Sequence, residues 1–409
     1  MKDIQLYQQI LGLEEPWRVE SVSLKAKERT IEVRVGFAET VWGCPQCHQR
    51  MEIHDYEERR WRHLDSCQFQ TIILSRVPVV RCPTHGAQTV AVPWAEKYSR
   101  FSRLFERFAI DVLLECSISG ACEILGISWD EADGIKQRAV KRGLARKPSA
   151  VMPRLCVDEK GIGHGQNYLT VVAQVEAERT TVQYVGEERE QESLDAFWRS
   201  LTPAQLAGVE AVAMDMWEPY VQSTLAHVPG AATKIVHDPF HLVKPMNEAV
   251  NEVRKSEHQR LQARGDDILK GTRQLWLYGL ENVPAKHAQR FEEIWQVNLQ
   301  TSRAWMLKEV FRNFWLCDTV QQARKYFDRW YSQAIRSRLA PVKKVARMCK
   351  SHLANILTFF VHRLTNGPIE GLNNALQGLI KKAYGYRNRT RFKTDIFFHF
   401  GGLDLYPTQ

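Results

Sequence analysis

The 409-residue sequence lacks any uninterrupted apolar run of the roughly 20 residues that a membrane helix requires. The nearest, from Leu353 to Val361, is broken by Asn355. The amino-terminal segment also lacks the continuous apolar region of a secretory signal, because acids interrupt its short apolar pieces. We therefore expect a cytoplasmic protein without membrane contact.

The composition lacks the bias of disordered or fibrous chains, with 44% hydrophobic and 25% charged residues. The length predicts several domains, at roughly 100 to 200 residues each. Disulfides are not expected inside a cell, so the nine cysteines should serve as metal ligands or as buried thiols.

Acidic residues are missing from three stretches that each carry six Lys or Arg: 136–147, 336–350 and 371–394. The net charge is only +9, so the rest of the chain has an excess of acids. Such segregation predicts basic surfaces that bind a polyanion. In the third stretch Tyr384, Tyr386 and Phe392 alternate with the cations, as suits contact with stacked bases. Solvated helix faces are the alternative interpretation.

Two short motifs predict a structural zinc site. Cys44 and Cys47 are separated by two residues, and so are Cys82 and His85. A two-residue gap lets one tight turn direct two ligands at a tetrahedral Zn²⁺, and residues 71–81 between the motifs read as a strand, as in a zinc ribbon. His48, His54 or His63 could replace His85 as the fourth ligand, and ordinary buried cysteines are the simpler alternative.

A helix-turn-helix is predicted after residue 100. Apolar residues recur at helical spacing from 101 to 114, and Gly126 stands at a turn. Ser128 and Glu131 form a capping box, so a further helix should begin at Trp129 and run to about Lys141, inside the first basic stretch. Such helix pairs bind DNA, although they also occur as plain core elements.

Residues 151–239 predict a mixed sheet with carboxylates at two strand ends. Apolar strands end at Asp158 and at Asp215, and the element order βββαβαβ is that of a ribonuclease-H-like fold. Two carboxylates 4 Å apart repel by about 4 kcal/mol at an effective dielectric of 20. A hard cation such as Mg²⁺ relieves this repulsion, whereas the alternative role for each aspartate is to cap a loop.

A third carboxylate is predicted on a helix that begins near Pro368. Glu370 falls in its first turn, and one polar face follows it at helical spacing: Asn373, Asn374, Gln377 and Lys381. The preceding residues, about 130 of them with helical periodicity, predict an all-α insertion in which the tryptophans form a core. Asp238 and His241, at the start of this insertion, should contact the catalytic groups or DNA, or Asp238 simply caps a helix.

Together these motifs resemble those of DDE transposases of bacterial insertion sequences, and among them the ISL3 family. The likeness rests on the CPQC and CPTH motifs, VDEKG around Asp158, MDMWEPY around Asp215, HDPFHLVK and NGPIEGLNNALQGLIKKAYGYRN around Glu370. His85 departs from the more usual Cys. The resemblance implies that Asp158 bridges two Mg²⁺ ions, with Asp215 on one and Glu370 on the other, for DNA hydrolysis and strand transfer.

The predicted fold is a multidomain α+β protein, divided into a zinc ribbon (1–95), a helix-turn-helix domain (96–150), a ribonuclease-H-like core (151–239 and 365–409) and an all-α insertion (240–364). The candidate DNA contacts are Lys136, Arg138, Lys141, Arg142, Asn373, Asn374, Lys381, Lys382, Tyr386, Arg387, Arg389 and Arg391.

The expected partners are double-stranded DNA, as element ends and target, and a second copy of the chain, since joining two ends calls for at least two protomers. The bacterial cytoplasm, in association with the nucleoid, is the expected location. Two alternatives remain: a non-catalytic DNA-binding regulator with an inactive core, and a structure-selective nuclease. A recombinase with Tyr384 or Tyr386 as nucleophile fits the motifs poorly.

Overall fold

A computed structural model describes residues 3–162, 168–177, 179–297 and 299–408 of the chain. The chain forms two compact units: Met1–Lys147 together with Asn388–Gln409, and Pro148–Arg387. The architecture is mixed α+β, as predicted. None of the helices in the described residues is long and apolar enough to span a membrane.

The first unit is built on a six-stranded sheet. Helix α1 (Asp3–Ile10) precedes strands β1 (Trp17–Lys25), β2 (Thr30–Phe37), β3 (Val41–Gly43), β4 (Arg50–Ser66), β5 (Phe69–Cys82) and β6 (Gly86–Thr89). The order is β1-β2-β5-β4-β3, with β6 also on β5; β2 and β5 run parallel and the other pairs antiparallel. The core of the sheet includes Val33, Trp61 and Ile73, all at most 1% exposed. The strand predicted at 71–81 is thus confirmed within β5.

Three helices follow the sheet: α2 (Arg103–Glu115), α3 (Ile118–Leu125) and α4 (Trp129–Arg146). The turn between α3 and α4 uses Gly126 at φ +63°, a conformation that glycine adopts without strain. Both hydrogen bonds of the capping box form, since the Glu131 backbone N–H donates to Ser128 Oγ and the Ser128 N–H donates to Glu131 Oε2. The predicted start of α4 is confirmed, and the helix runs five residues beyond Lys141.

The second unit contains a five-stranded sheet whose strands follow the predicted order along the chain, with one additional short helix, α6. Its elements are β7 (Arg154–Gly161), β8 (Tyr168–Val175), β9 (Thr180–Glu187), α5 (Gln191–Arg199), α6 (Pro203–Ala207), β10 (Ala211–Met214), α7 (Glu218–His227) and β11 (Ile235–His237). Strands β7, β8 and β9 are antiparallel, and β10 and β11 run parallel to β7 in the order β11-β10-β7-β8-β9. The carboxyl ends of β7, β10 and β11 therefore share one edge of the sheet.

A helical segment follows the sheet in the same unit. It comprises α8 (Pro239–Gln262), α9 (Ala285–Trp295), α10 (Gln300–Asn313), α11 (Val320–Arg336), α12 (Ala340–Ser351), α13 (Leu353–Leu357), α14 (Phe359–His362) and α15 (Gly367–Lys382). Its tryptophans form a core, as predicted: Trp276, Trp305 and Trp330 are at most 2% exposed, and Trp295 and Trp315 pack against them.

Helix α16 (Arg389–Phe400) belongs to the first unit, although the sequence grouped residues 365–409 with the catalytic core. The Lys136 ammonium on α4 donates to Asp395 on α16 at 2.5 Å, and both side chains are buried. Gly143 on α4 permits a close approach by Leu403, because a Cβ at residue 143 would lie 2.6 Å from Leu403 Cβ. Helix α4 is thus packed against a segment that lies 259 residues further along the chain at the Lys136–Asp395 pair.

We predict that Lys136→Met loosens both α4 and α16. Removing one partner of a buried ion pair leaves the other charge without its counterion, which costs about 3 kcal/mol. Hydrogen exchange measured by mass spectrometry on the full-length protein should show both helices exchanging roughly a hundredfold faster. Lys141→Met, on an exposed position of α4, is the control. Unchanged exchange in α16 would contradict the pairing.

Candidate metal centres and DNA-binding surface

Four side chains converge at one end of the first sheet. Cys44 follows β3, Cys82 ends β5 and His85 precedes β6. The Sγ atoms of Cys47 and Cys82 are 3.6 Å apart, and His85 Nδ1 lies 3.7 Å from Cys44 Sγ and 3.4 Å from Cys82 Sγ. Tetrahedral Zn²⁺ with bonds of about 2.3 Å to sulfur and 2.0 Å to nitrogen places its ligands about 3.5 to 3.8 Å apart. The three sulfurs and one nitrogen fit a zinc ion.

The backbone around Cys44 favours its thiolate form. Backbone N–H groups of Cys47 and Gln46 point at its sulfur and lower the pKa of the Cys44 thiol to about 6. Zinc binds the thiolate form of cysteine, so the lowered pKa of Cys44 favours metal binding by this loop. Of the histidines weighed for the fourth position, His85 is in the cluster; His63 is buried, with Nδ1 2.8 Å from Ser102 Oγ.

The second unit brings the two predicted aspartates to adjacent strands. Asp215 directly follows β10, as predicted, whereas Asp158 lies within β7, which continues three residues beyond it to Gly161. In the parallel ladder between β10 and β7, Ala213 lies opposite Cys156. Two residues further on, the same register sets Asp215 beside Asp158. The two carboxylates interact, since the negative charge of Asp215 is one cause of the raised pKa of Asp158.

Burial is the largest cause of the raised pKa of the Asp158 carboxyl group. One oxygen accepts the Glu159 backbone N–H at 2.8 Å, and the other accepts the side-chain amide of Asn373 at 2.7 Å. The nearby His241 acts in the opposite direction and favours the charged form. Asp158 is therefore a partly desolvated anion with neutral hydrogen-bond donors.

Glu370 lies on the helix that packs against Asp158. Helix α15 contacts β7, and its apolar side, Ile369, Leu372 and Leu376, is buried. Glu370 is exposed in the first turn, three residues before Asn373, so the two side chains share one face of the helix. Glu370 thus stands one turn from the amide that touches Asp158.

The three carboxylates do not form a closed cluster. In the described parts of the chain, the Cys44 site is the one group of three or more His, Cys, Asp or Glu whose ligand atoms all lie within 4.8 Å. The negative charges of Asp158 and Asp215 oppose closer approach of the Glu370 carboxylate. A cation bound between them would instead attract all three carboxylates.

Asp238 joins three parts of the second unit. It follows β11, whose His237 lies opposite Met214, so the same register sets Asp238 beside Asp215. Its side chain is buried and accepts two backbone N–H groups: that of Phe240 in α8 at 3.0 Å, and that of Asn366, just before α15, at 2.9 Å. Asp238 therefore caps the first helix of the insertion and fixes the start of the Glu370 helix.

Sequence reasoning missed two cations near the strand ends. Lys160 is 8% exposed and donates to the Asn373 carbonyl at 2.8 Å and to Gln377 Oε1 at 3.1 Å. Arg189, after β9, pairs with Glu159 at 2.6 Å and lies 4.0 Å from the centre of the Trp217 ring. Alternation places Lys160 on the same face of β7 as Asp158, but its partners on α15 leave no trace in local spacing.

The predicted DNA contacts on α4 are mostly engaged within the first unit. Besides Lys136, Arg142 donates to Glu96 at 2.7 Å, and Arg138 donates to Glu106 through Nε at 2.9 Å. Lys141 is exposed. These ion pairs hold α4 in place, and contact of the four cations with DNA stays a prediction.

The candidates on and after α15 lie mostly at the surface. Exposed residues are Asn374, Lys381, Lys382 and Arg387, and Tyr386, Arg389 and Arg391 are partly exposed. Tyr384 is fully exposed, whereas Phe392 is 0% exposed. The expectation that Phe392 stacks on bases is therefore wrong, because its ring fills the core beneath α16.

The class of protein to which these features belong is given by comparison with known families. A family model described as "Transposase" matches residues 155–396, more than half of the chain. Two others match residues 90–140, "Helix-turn-helix domain of transposase family ISL3", and residues 40–85, "zinc-finger of transposase IS204/IS1001/IS1096/IS1165". The chain belongs to the ISL3 family of DDE transposases.

Two relatives match nearly end to end. The transposase for insertion sequence element IS1001 of Bordetella parapertussis is 26% identical over 91% of this chain and 92% of its own length. The transposase for insertion sequence element IS1557 of Mycobacterium tuberculosis is 24% identical over 95% of this chain and 93% of its own. The similarity thus spans both units.

We predict that the purified protein contains one zinc per chain and that Cys44→Ser loses it. A serine hydroxyl is a poor zinc ligand beside two thiolates and an imidazole. Elemental analysis should find about one zinc in the wild type and in Cys67→Ser, an exposed cysteine outside the cluster, and much less in Cys44→Ser. Equal zinc in all three proteins would contradict the assignment.

A second prediction concerns the double acceptor role of Asp238. Asparagine keeps the size and one acceptor oxygen, so Asp238→Asn should lose one of its two hydrogen bonds at a cost of about 1 to 3 kcal/mol. Hydrogen exchange at the start of α8 or of α15 should rise roughly tenfold or more. Asp267→Asn, exposed in the insertion, is the control. Unaltered exchange at both helix starts would show that the carboxylate is not the link.

Proposed function

We propose that this protein binds the terminal inverted repeats of its own insertion sequence, cleaves the DNA at the element ends and joins those ends to target DNA. The observation that carries the proposal is the placement of Asp158 on β7 and of Asp215 directly after the neighbouring β10, with the Glu370 helix packed on β7. We take the sheet to be ribonuclease-H-like, because its strand order and directions match that expectation.

Asp158, Asp215 and Glu370 would hold two Mg²⁺ ions. The donor set fits, since all three offer only carboxylate oxygens, which hard cations prefer. The Asn373 amide oxygen, buried and without a hydrogen-bond partner in the described residues, adds another oxygen beside Asp158. When bound, the ions would supply charge stabilisation for phosphodiester hydrolysis and transfer.

The protein's own residues then position these groups. Asn373 orients Asp158 through its amide, and Lys160, on the same face of β7, holds the α15 backbone by donating to the Asn373 carbonyl. Asp238 sets the start of α15, and His241 adds positive charge near Asp158 when protonated. We infer that Asp238 and His241 act on the site through the ligands and do not replace them.

The first unit would recognise the DNA. Its zinc ribbon gives a small sheet a metal crosslink, and its helix-turn-helix offers α4 to a DNA groove. The exposed cations on and after α15 suit contact with phosphates. Joining two ends requires two protomers on the DNA, so we propose a homodimer in that complex, acting at the nucleoid in the bacterial cytoplasm.

The proposal predicts that Asp158→Asn abolishes cleavage of a duplex carrying an element end. Losing one ligand of a two-metal site should lower the rate at least a thousandfold, because neutral Asn holds the cations far more weakly. Cleavage is measured with and without Mg²⁺ on end-containing and unrelated duplexes of equal length, with Asp267→Asn as the control.

Each other outcome identifies an alternative. Equal cleavage by Asp158→Asn and wild type would refute the assignment of the site. End binding without cleavage by the wild type would favour the regulator, and equal cleavage of both duplexes would favour the structure-selective nuclease.

A further inference from the structure

The first turn of α4 carries acids where a DNA-binding helix would be expected to carry none. Asp130 and Glu131 lie in this turn and Asp133 follows in the next; the Asp130 side chain is 91% exposed, whereas that of Asp133 is 7% exposed. In a helix-turn-helix the amino-terminal residues of the second helix approach the bases and the flanking phosphates. Carboxylates there repel the DNA backbone.

An arginine from the other end of the chain lies on these acids. Arg391, in the first turn of α16, approaches Asp133 Oδ2 at 3.2 Å and Asp130 Oδ1 at 3.9 Å. Its guanidinium also lies 4.1 Å from the centre of the Trp129 ring. The Arg391 side chain remains 41% exposed, so the group faces solvent at the start of α4.

Packing alone does not require this arginine. Helix α16 is held by the buried pair of Lys136 and Asp395 and by Phe392 and Ile396, both 0% exposed. The Arg391 guanidinium is partly solvated, and its pair with the exposed Asp130 contributes roughly 0 to 1 kcal/mol to stability. The charge of Arg391 is therefore available for a function at the surface.

We propose that Arg391 completes the DNA-binding face of the helix-turn-helix by neutralising the acidic first turn of α4, so that duplex phosphates can approach. The DNA-binding surface is then composed of two segments, one before and one after the catalytic unit in sequence. This inference rests on the proposed DNA-binding function and adds to it the residue that makes α4 compatible with DNA.

A charge-rescue experiment on the full-length protein tests this inference. The probes are a 30-base-pair duplex with an end of the encoding element and a random duplex of equal length, with dissociation constants measured by fluorescence anisotropy at 100 mM NaCl. Arg391→Gln should weaken end binding about tenfold because it leaves Asp130 and Asp133 without their counterion. The effect should be smaller at high salt, which screens the charges. Adding Asp133→Asn should restore the affinity to within about threefold of wild type.

Two further variants keep the test interpretable. Asp130→Asn, at an exposed position, replaces Asp133→Asn in the Arg391→Gln background should the buried substitution disturb folding. Arg199→Gln in the second unit, whose exposed guanidinium pairs with Glu192, is the matched control and should bind like wild type.

The outcomes separate this inference from the proposed function. Tight binding by both wild type and Arg391→Gln would overturn the role of Arg391 and leave the transposase proposal intact. Weakened binding that neither acid substitution restores would mean that Arg391 contacts DNA itself, which also overturns neutralisation. A wild type that prefers neither duplex would refute end binding, and the inference with it.

Discussion

The Asp158 carboxylate, on β7 of the second sheet, is the group on which the proposed function of this protein depends. Burial disfavours its charged form, and the charge of Asp215 on the neighbouring strand adds to that effect. Neutral donors from Glu159 and Asn373 stabilise the anion only in part. A divalent cation between Asp158 and Asp215 would reduce the repulsion between the two carboxylates.

The acids that share this edge come from distant parts of the sequence, and backbone contacts hold them in relation. Asp238 accepts one N–H from α8 and one from the residue before α15, which ties the helical insertion to the helix of Glu370. Buried carboxylates that accept two backbone N–H groups are difficult to replace, since no neutral side chain offers the same pair of acceptors. The insertion and the Glu370 helix are thus fixed to the sheet edge that carries Asp158.

Features encoded in short segments could be predicted from the sequence. The zinc ligands follow from two-residue gaps, the start of α4 from Ser128 and Glu131, and the adjacency of β7 and β10 from the order of the elements along the chain. The membership of α16 in the first unit could not be predicted, because Lys136 and Asp395 are 259 residues apart and no local pattern links them. For the same reason the sequence alone predicts that the cations of α4 contact DNA. In the structure, Lys136, Arg138 and Arg142 are engaged in ion pairs.

The most direct test of the central claim is to locate divalent ions in crystals of the protein with element-end DNA and Mn²⁺. Anomalous scattering should place two Mn²⁺ ions with Asp158 between them, one bound also by Asp215 and the other by Glu370. Ions held by other acids, with Asp158 still bonded only to Asn373 and to backbone in the presence of DNA, would contradict the account.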